Sequence, residues 1–105
     1  MLQHDMDECV KAAERYCAAN AAAVRKAGVL ERTPAVDETT FLAELGTAFD
    51  TKRSPRPTPE SLVLKYAEAL NARAKAEEDD AAAKAELADA RTNFEKELKL
   101  LRSKL

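Results

Sequence analysis

The chain has 105 residues, a formal net charge of −2 at pH 7, no tryptophan, three phenylalanines, two tyrosines and two glycines, which excludes more than one domain and leaves little material for a compact core. A charge so near neutrality, with acids and bases interspersed, argues against nucleic acid or a membrane surface as partner, since both want a strong basic excess. No apolar run approaches the ~20 residues of a bilayer span, and Asp5, Asp7 and Glu8 break the basic-then-apolar order of a secretory leader.

Much of the apolar content is alanine, which fills little volume but has the best helix propensity. A chain rich in Ala, Glu, Lys, Leu and Arg and poor in Gly belongs to the long-helix class. The expected fold is all-α: a helical hairpin or small bundle with a long C-terminal coiled-coil helix. Three segments follow, namely two N-terminal helices in residues 1–50, a proline-rich linker at 51–59 and one long helix at 60–105.

The first helix is expected from Leu2 to Ala27, stopped by Gly28, with acids in its first turns and Arg25 and Lys26 near its end to suit the dipole. Leu2, Met6, Cys9, Ala13, Tyr16, Asn20, Ala23, Ala27 and Leu30 alternate spacings of four and three, a heptad seam with Met6, Ala13, Asn20 and Ala27 at a. A wider stripe that adds Val10, Cys17 and Val24 fits equally and suits a bundle. Asn20 either specifies register from a core position or faces water. Cys9 and Cys17 lie ~12 Å apart along one helix, too far for a disulfide, so free thiols in a reducing intracellular compartment (cytoplasm or nucleus) are expected.

After Thr33-Pro34, Asp37 is the expected N-cap of a short helix that carries Phe41, Leu42, Leu45 and Phe49 on one face. Gly46 weakens its second half. The prolines at 55, 57 and 59 forbid helix through the linker. Thr58-Pro59-Glu60 then supplies a cap, a proline at N1 and an acid in the first turn. Nothing in the sequence breaks the third helix before Leu105. Its stripe runs Leu62, Tyr66, Ala69, Ala76, Ala83, Leu87, Ala90, Phe94, Leu98, Leu101 and Leu105. Asp80–Lys84 and Glu95–Lys99 are acid-before-base pairs at i,i+4.

The first helix, folded back on the third, is too short to cover it. The surplus is expected to project or to pair with another chain, through the Leu87–Leu105 stripe in a homodimer or higher helical oligomer. The partner-binding candidates are therefore Phe41, Leu45, Phe49, Leu87, Phe94, Leu98, Leu101 and Leu105, acting by helix-in-groove burial.

Thr33, Ser54 and Thr58 each precede a proline at a joint. They punctuate helices and equally offer targets to a proline-directed kinase, with Ser54 set among Lys52, Arg53 and Arg56. Ser103-Lys104-Leu105 resembles the type 1 peroxisomal targeting signal, a resemblance that covers three residues and has meaning only at a true chain end. Read otherwise, Leu105 is the next stripe position after Leu101. For catalysis the sequence offers little: one histidine, His4, near a terminus, and no glycine-rich phosphate loop or nucleophile motif. No cofactor or metal is expected. The expected function is that of a non-catalytic structural or adaptor protein, in a cytoskeletal, trafficking or chromosome-segregation assembly. The alternative is a small peroxisomal accessory protein.

Overall fold

The computed structural model describes residues 2–50 and 58–105. They form three helices, α1 (Leu2–Arg32), α2 (Glu38–Asp50) and α3 (Pro59–Arg102), and, among the described residues, no strand.

Each boundary has a local cause. α1 runs through Gly28 and beyond the expected stop at Ala27. A glycine inside a helix costs about 1 kcal/mol relative to alanine but leaves the hydrogen-bond ladder intact. Pro34 has no N–H to continue the ladder, and it is the real stop. Thr33 closes the last turn, its N–H donating to the carbonyls of Val29 and Leu30 and its Oγ1 to Val29 at 2.8 Å.

Asp37 caps α2 as its residue type and position foretell. Its Oδ1 accepts from the Thr39 N–H at 3.0 Å and its Oδ2 from the Thr40 hydroxyl at 2.7 Å. Those bonds stabilise the ionised form and hold the Asp37 carboxyl below its ordinary value, the Thr40 side chain contributing most. α2 continues through Gly46 to Asp50. At the head of α3, Thr58 is extended (φ −71°, ψ 157°) and its Oγ1 accepts from the Ser61 N–H at 3.1 Å, with Pro59 in the first turn. α3 ends at Arg102, short of the expected Leu105, in a tight turn where Ser103 N–H bonds to Lys99 and Lys104 N–H to Leu101.

α1 and α3 are antiparallel. Asp5 meets Lys104 at one end, Arg15 meets Glu86, Lys26 meets Asp79, and Arg73 reaches the last carbonyls of α1. α2 lies on the N-terminal part of α3, with Phe41 stacked on Tyr66, ring centroids 4.0 Å apart and planes 5° off parallel. The 31 residues of α1 and the 13 of α2, laid end to end, match the 44 of α3. This corrects the expected overhang: α2 covers the length of α3 that α1 cannot reach.

The result is a rod of 80 × 19 × 15 Å with a radius of gyration of 23.7 Å, against about 13 Å for a compact chain of this size. No helix among the described residues is long and apolar enough to cross a membrane.

The contact row on α3 is a heptad: Leu62, Tyr66, Arg73, Ala76, Asp80, Ala83, Leu87, Ala90, Phe94, Glu97 and Leu101 are buried or half-buried. Facing it on α1 are Asp5, Cys9, Ala12, Tyr16, Ala19, Ala23 and Leu30. The fully buried members are Cys9, Leu62, Asp80 and five alanines. Small side chains let two helices approach closely, so this is a thin seam. Tyr16 and Phe94, with centroids 5.7 Å apart, are its widest layer.

Candidate interaction surface

An antiparallel hairpin has two broad faces, and here they differ. On one, Arg15 clasps Glu86 through Nε (3.1 Å) and Nη2 (2.8 Å) and reaches Asp89 at 2.6 Å, while Lys26 stands 4.0 Å from Asp79. The guanidinium holds the Glu86 carboxyl below its ordinary value, and the two carboxylates hold Arg15 more firmly protonated. A forked guanidinium–carboxylate pair is directional. Exposed as it is, it sets which residues face each other more than it adds stability.

The other face is apolar along α1 and at both ends of α3. The α1 row one residue on from the contact row is Met6, Val10, Ala13, Cys17, Asn20, Val24 and Ala27, with Val10 64% and Val24 65% exposed. The matching α3 row carries Val63, Ala67, Leu70, Ala74, Ala81, Ala88 and Leu98, with Glu77, Lys84 and Arg91 along its middle. In an antiparallel pair these rows lie on the same side, and the structure shows it. Met6, Val10, Ala13, Phe94, Leu98 and Leu101 line one shared groove of about 230 Å³, together with Cys9. At the far end Phe49, Pro59, Val63, Leu64 and Ala67 line another of about 550 Å³. Exposed apolar side chains strung along one face make it the candidate contact surface.

The expected partner-binding residues divide between uses. Leu87, Phe94 and Leu101 are half-buried on the row that faces α1, so the α3 stripe serves the hairpin itself. Leu98 and Leu105 point outward, Leu105 being 88% exposed. Phe41 is engaged with Tyr66, Leu45 is half-buried and Phe49 is exposed in the groove beside Val63. Asn20 is exposed on the open face and takes no part in the α1–α3 seam. Glu95 pairs with Arg91 at 3.0 Å instead of Lys99, while Asp80–Lys84 forms as expected at 2.8 Å.

Of the candidate phosphorylation sites, Thr33 has its hydroxyl committed to Val29 and Thr58 has its own committed to the cap of α3. Ser54, with Lys52, Arg53 and Arg56, lies outside the described residues. In the Ser103-Lys104-Leu105 tail, Ser103 Oγ donates to Leu100 O at 2.7 Å and Lys104 pairs with Asp5 at 2.6 Å. That lysine is the first cause of a lowered Asp5 carboxyl.

Sequence reasoning missed Asp80 and Arg73 as seam residues. Both occupy the heptad row, but an apolar-stripe search steps over charged side chains. Both cysteines are free, Cys9 buried and Cys17 exposed on the open face. No set of three or more His, Cys, Asp or Glu side chains among the described residues is grouped to hold a metal ion. Comparison of the chain with protein-family models, with curated proteins and with solved structures finds no match in any of the three.

Proposed function

We propose that the chain is a non-catalytic helical adaptor that works by docking other helices on the apolar face of its hairpin. One observation carries this reading: Val10 and Val24 are about two-thirds exposed on the same face as Leu70 and Leu98, while alanines fill the interior seam. The usual arrangement puts the larger apolar side chains inside. Here Val10, Val24, Val63 and Leu70 are held outward on a rod 80 Å long, which suits burial of i, i+3, i+4 anchors from partner helices. A cytoskeletal, trafficking or chromosome-segregation assembly is the setting in which such a rod serves.

The test is proximity labelling in cells with the full chain and two variants, Val10→Lys with Val24→Lys on the apolar face, and Lys11→Glu on the charged one. The reading expects one set of labelled neighbours to vanish with the valine substitutions and to survive Lys11→Glu. Equal labelling by all three proteins, with helix content unchanged by circular dichroism, would sink it.

A second reading is favoured by the 88% exposure of Leu105: a small accessory protein addressed to the peroxisome by Ser103-Lys104-Leu105. It requires Leu105 to carry the free carboxylate. An N-terminally fluorescent-tagged copy tests it. Puncta that disappear on deletion of Leu105 support the address, and a distribution indifferent to that deletion removes it.

A further inference from the structure

We infer that the occupant of the apolar face is a second copy of this chain, related by a two-fold axis that sets α3 against α3 antiparallel and makes two hairpins into a four-helix bundle. This rests on the docking face proposed above and adds its occupant. The argument comes from the order of residues along the outward row of α3, one heptad apart: Val63, Leu70, Glu77, Lys84, Arg91 and Leu98. Apolar residues stand at both ends and charges in the middle. Read backwards from a second copy about Lys84, the row complements itself. Leu70 meets Leu98, Glu77 meets Arg91, and the two-fold makes each meeting twice.

The one like-charge meeting is Lys84 with its own copy. It is already neutralised, because Lys84 pairs with Asp80 at 2.8 Å within the chain. Glu77 and Arg91 have capacity to spare. Each has an in-chain partner, Arg73 at 2.9 Å and Glu95 at 3.0 Å, yet their side chains are more than half exposed. A carboxylate has about four acceptor sites and a guanidinium five donors. A partner of unrelated sequence needs no such reversal symmetry, whereas an isologous interface requires it. A face 80 Å long and 19 Å wide also exceeds the roughly 800 Å² per partner of a stable interface.

The experiment is mass by light scattering and the dimer dissociation constant by sedimentation for the full chain, Glu77→Arg, Arg91→Glu and the double exchange. The wild type is expected at twice 11.5 kDa. Each single variant should weaken the dimer by roughly tenfold or more, since each substitution acts twice, and the double exchange should recover most of the loss. The in-chain pairs with Arg73 and Glu95 are broken in the double variant as in the singles, so only a contact between copies restores affinity. A monomeric wild type, single variants of unchanged affinity, or a double variant no better than the singles overturns the inference. Helix content by circular dichroism is read on every variant. A monomer whose open-face valine variants still lose their neighbours in cells removes the self-pairing alone and leaves the docking face standing.

Discussion

Arg73, from the first half of α3, donates Nη1 to the carbonyl oxygen of Thr33 across 2.9 Å. The same nitrogen reaches the carbonyl of Leu30 at 3.3 Å, so the last turn of α1 is capped by a side chain from the opposite helix. Helix ends leave carbonyls without intrahelical partners, and a cation there also suits the dipole. Replacing Arg73 by Met keeps the aliphatic stem and removes both bonds. Urea unfolding should show a loss of about 1.5–3 kcal/mol, the range for hydrogen bonds from a charged group. An unchanged midpoint would mean that solvent replaces Arg73 without penalty.

Asp80 points the other way. It is 5% exposed, inside a seam of alanines, with Oδ2 on Lys84 and Oδ1 without a protein partner among the described residues. A charge taken out of water and half-satisfied costs more than it returns. Asp80→Ala matches its neighbours in size and improves helix propensity. The variant should be more stable by about 1 kcal/mol, which in a domain of this length raises the melting temperature by roughly 4–8 °C. A lower melting temperature would show that the Lys84 pair outweighs the burial.

The hold on α2 is narrow. Among its residues none is fully buried, and the Phe41–Tyr66 stack joins it to α3. Such a pair contributes about 0.5–1.5 kcal/mol beyond its area, and a 13-residue helix is marginal without packing. Tyr66→Ala should release α2 while the α1–α3 hairpin melts as before. Hydrogen exchange is the measure: amides of residues 41–50 lose protection and those of 12–23 keep it. Uniform loss along the chain would show α2 to be integral to the hairpin.

The dependence on pH follows from the carboxylates. Glu86, Asp5 and Asp37 all have folded-state values below the ordinary range, Glu86 through Arg15, Asp5 through Lys104 and Asp37 through Thr40. The folded chain therefore binds fewer protons than the unfolded one in the acid range. The stabilisation is complete above the ordinary carboxylate values and is lost as pH falls through the depressed ones, below about 4. Melting curves at neutral pH and at about pH 3 should differ more for the wild type than for Glu86→Gln. Parallel shifts in the two proteins would leave Glu86 outside the effect.

Leu98 lines the groove beside Met6 and Val10 without being needed in the seam. Leu98→Asp should therefore leave the hairpin folded and dissociate the proposed dimer, because association would bury an unpaired carboxylate. Light scattering that still reports twice the chain mass would place the interface elsewhere.

The elements were legible because their signals are local. Asp37 and Thr58 can be read as caps, and Pro34 and Pro59 as punctuation, from residue type alone. The α3 contact row was also legible where leucine and aromatics mark it, at Leu62, Tyr66, Leu87 and Phe94. The facing row on α1 was legible only in part. Cys9, Tyr16, Ala23 and Leu30 of the expected seam do face α3, but Met6, Asn20 and Ala27 are exposed and the hairpin closes instead on Asp5, Ala12 and Ala19. The two rows are one residue apart, and the choice belongs to the partner helix: alanines at 76, 83 and 90 accept only small side chains opposite. Likewise the use of α2 to cover the head of α3 depends on lengths summed across a joint, which no single element announces.

The hairpin's contacts also differ in the length of chain they close. Phe41 and Tyr66 are separated by 25 residues of chain, Asp5 and Lys104 by 99. Closing the longer loop directly costs about 1 kcal/mol more, and growth from a closed end avoids that cost at every step. The Phe41–Tyr66 contact therefore closes at a smaller entropic cost than the contact between the two ends of the hairpin. The ion pair of Asp5 with Lys104, at 2.6 Å, ties together the two parts of the hairpin that the chain itself holds furthest apart.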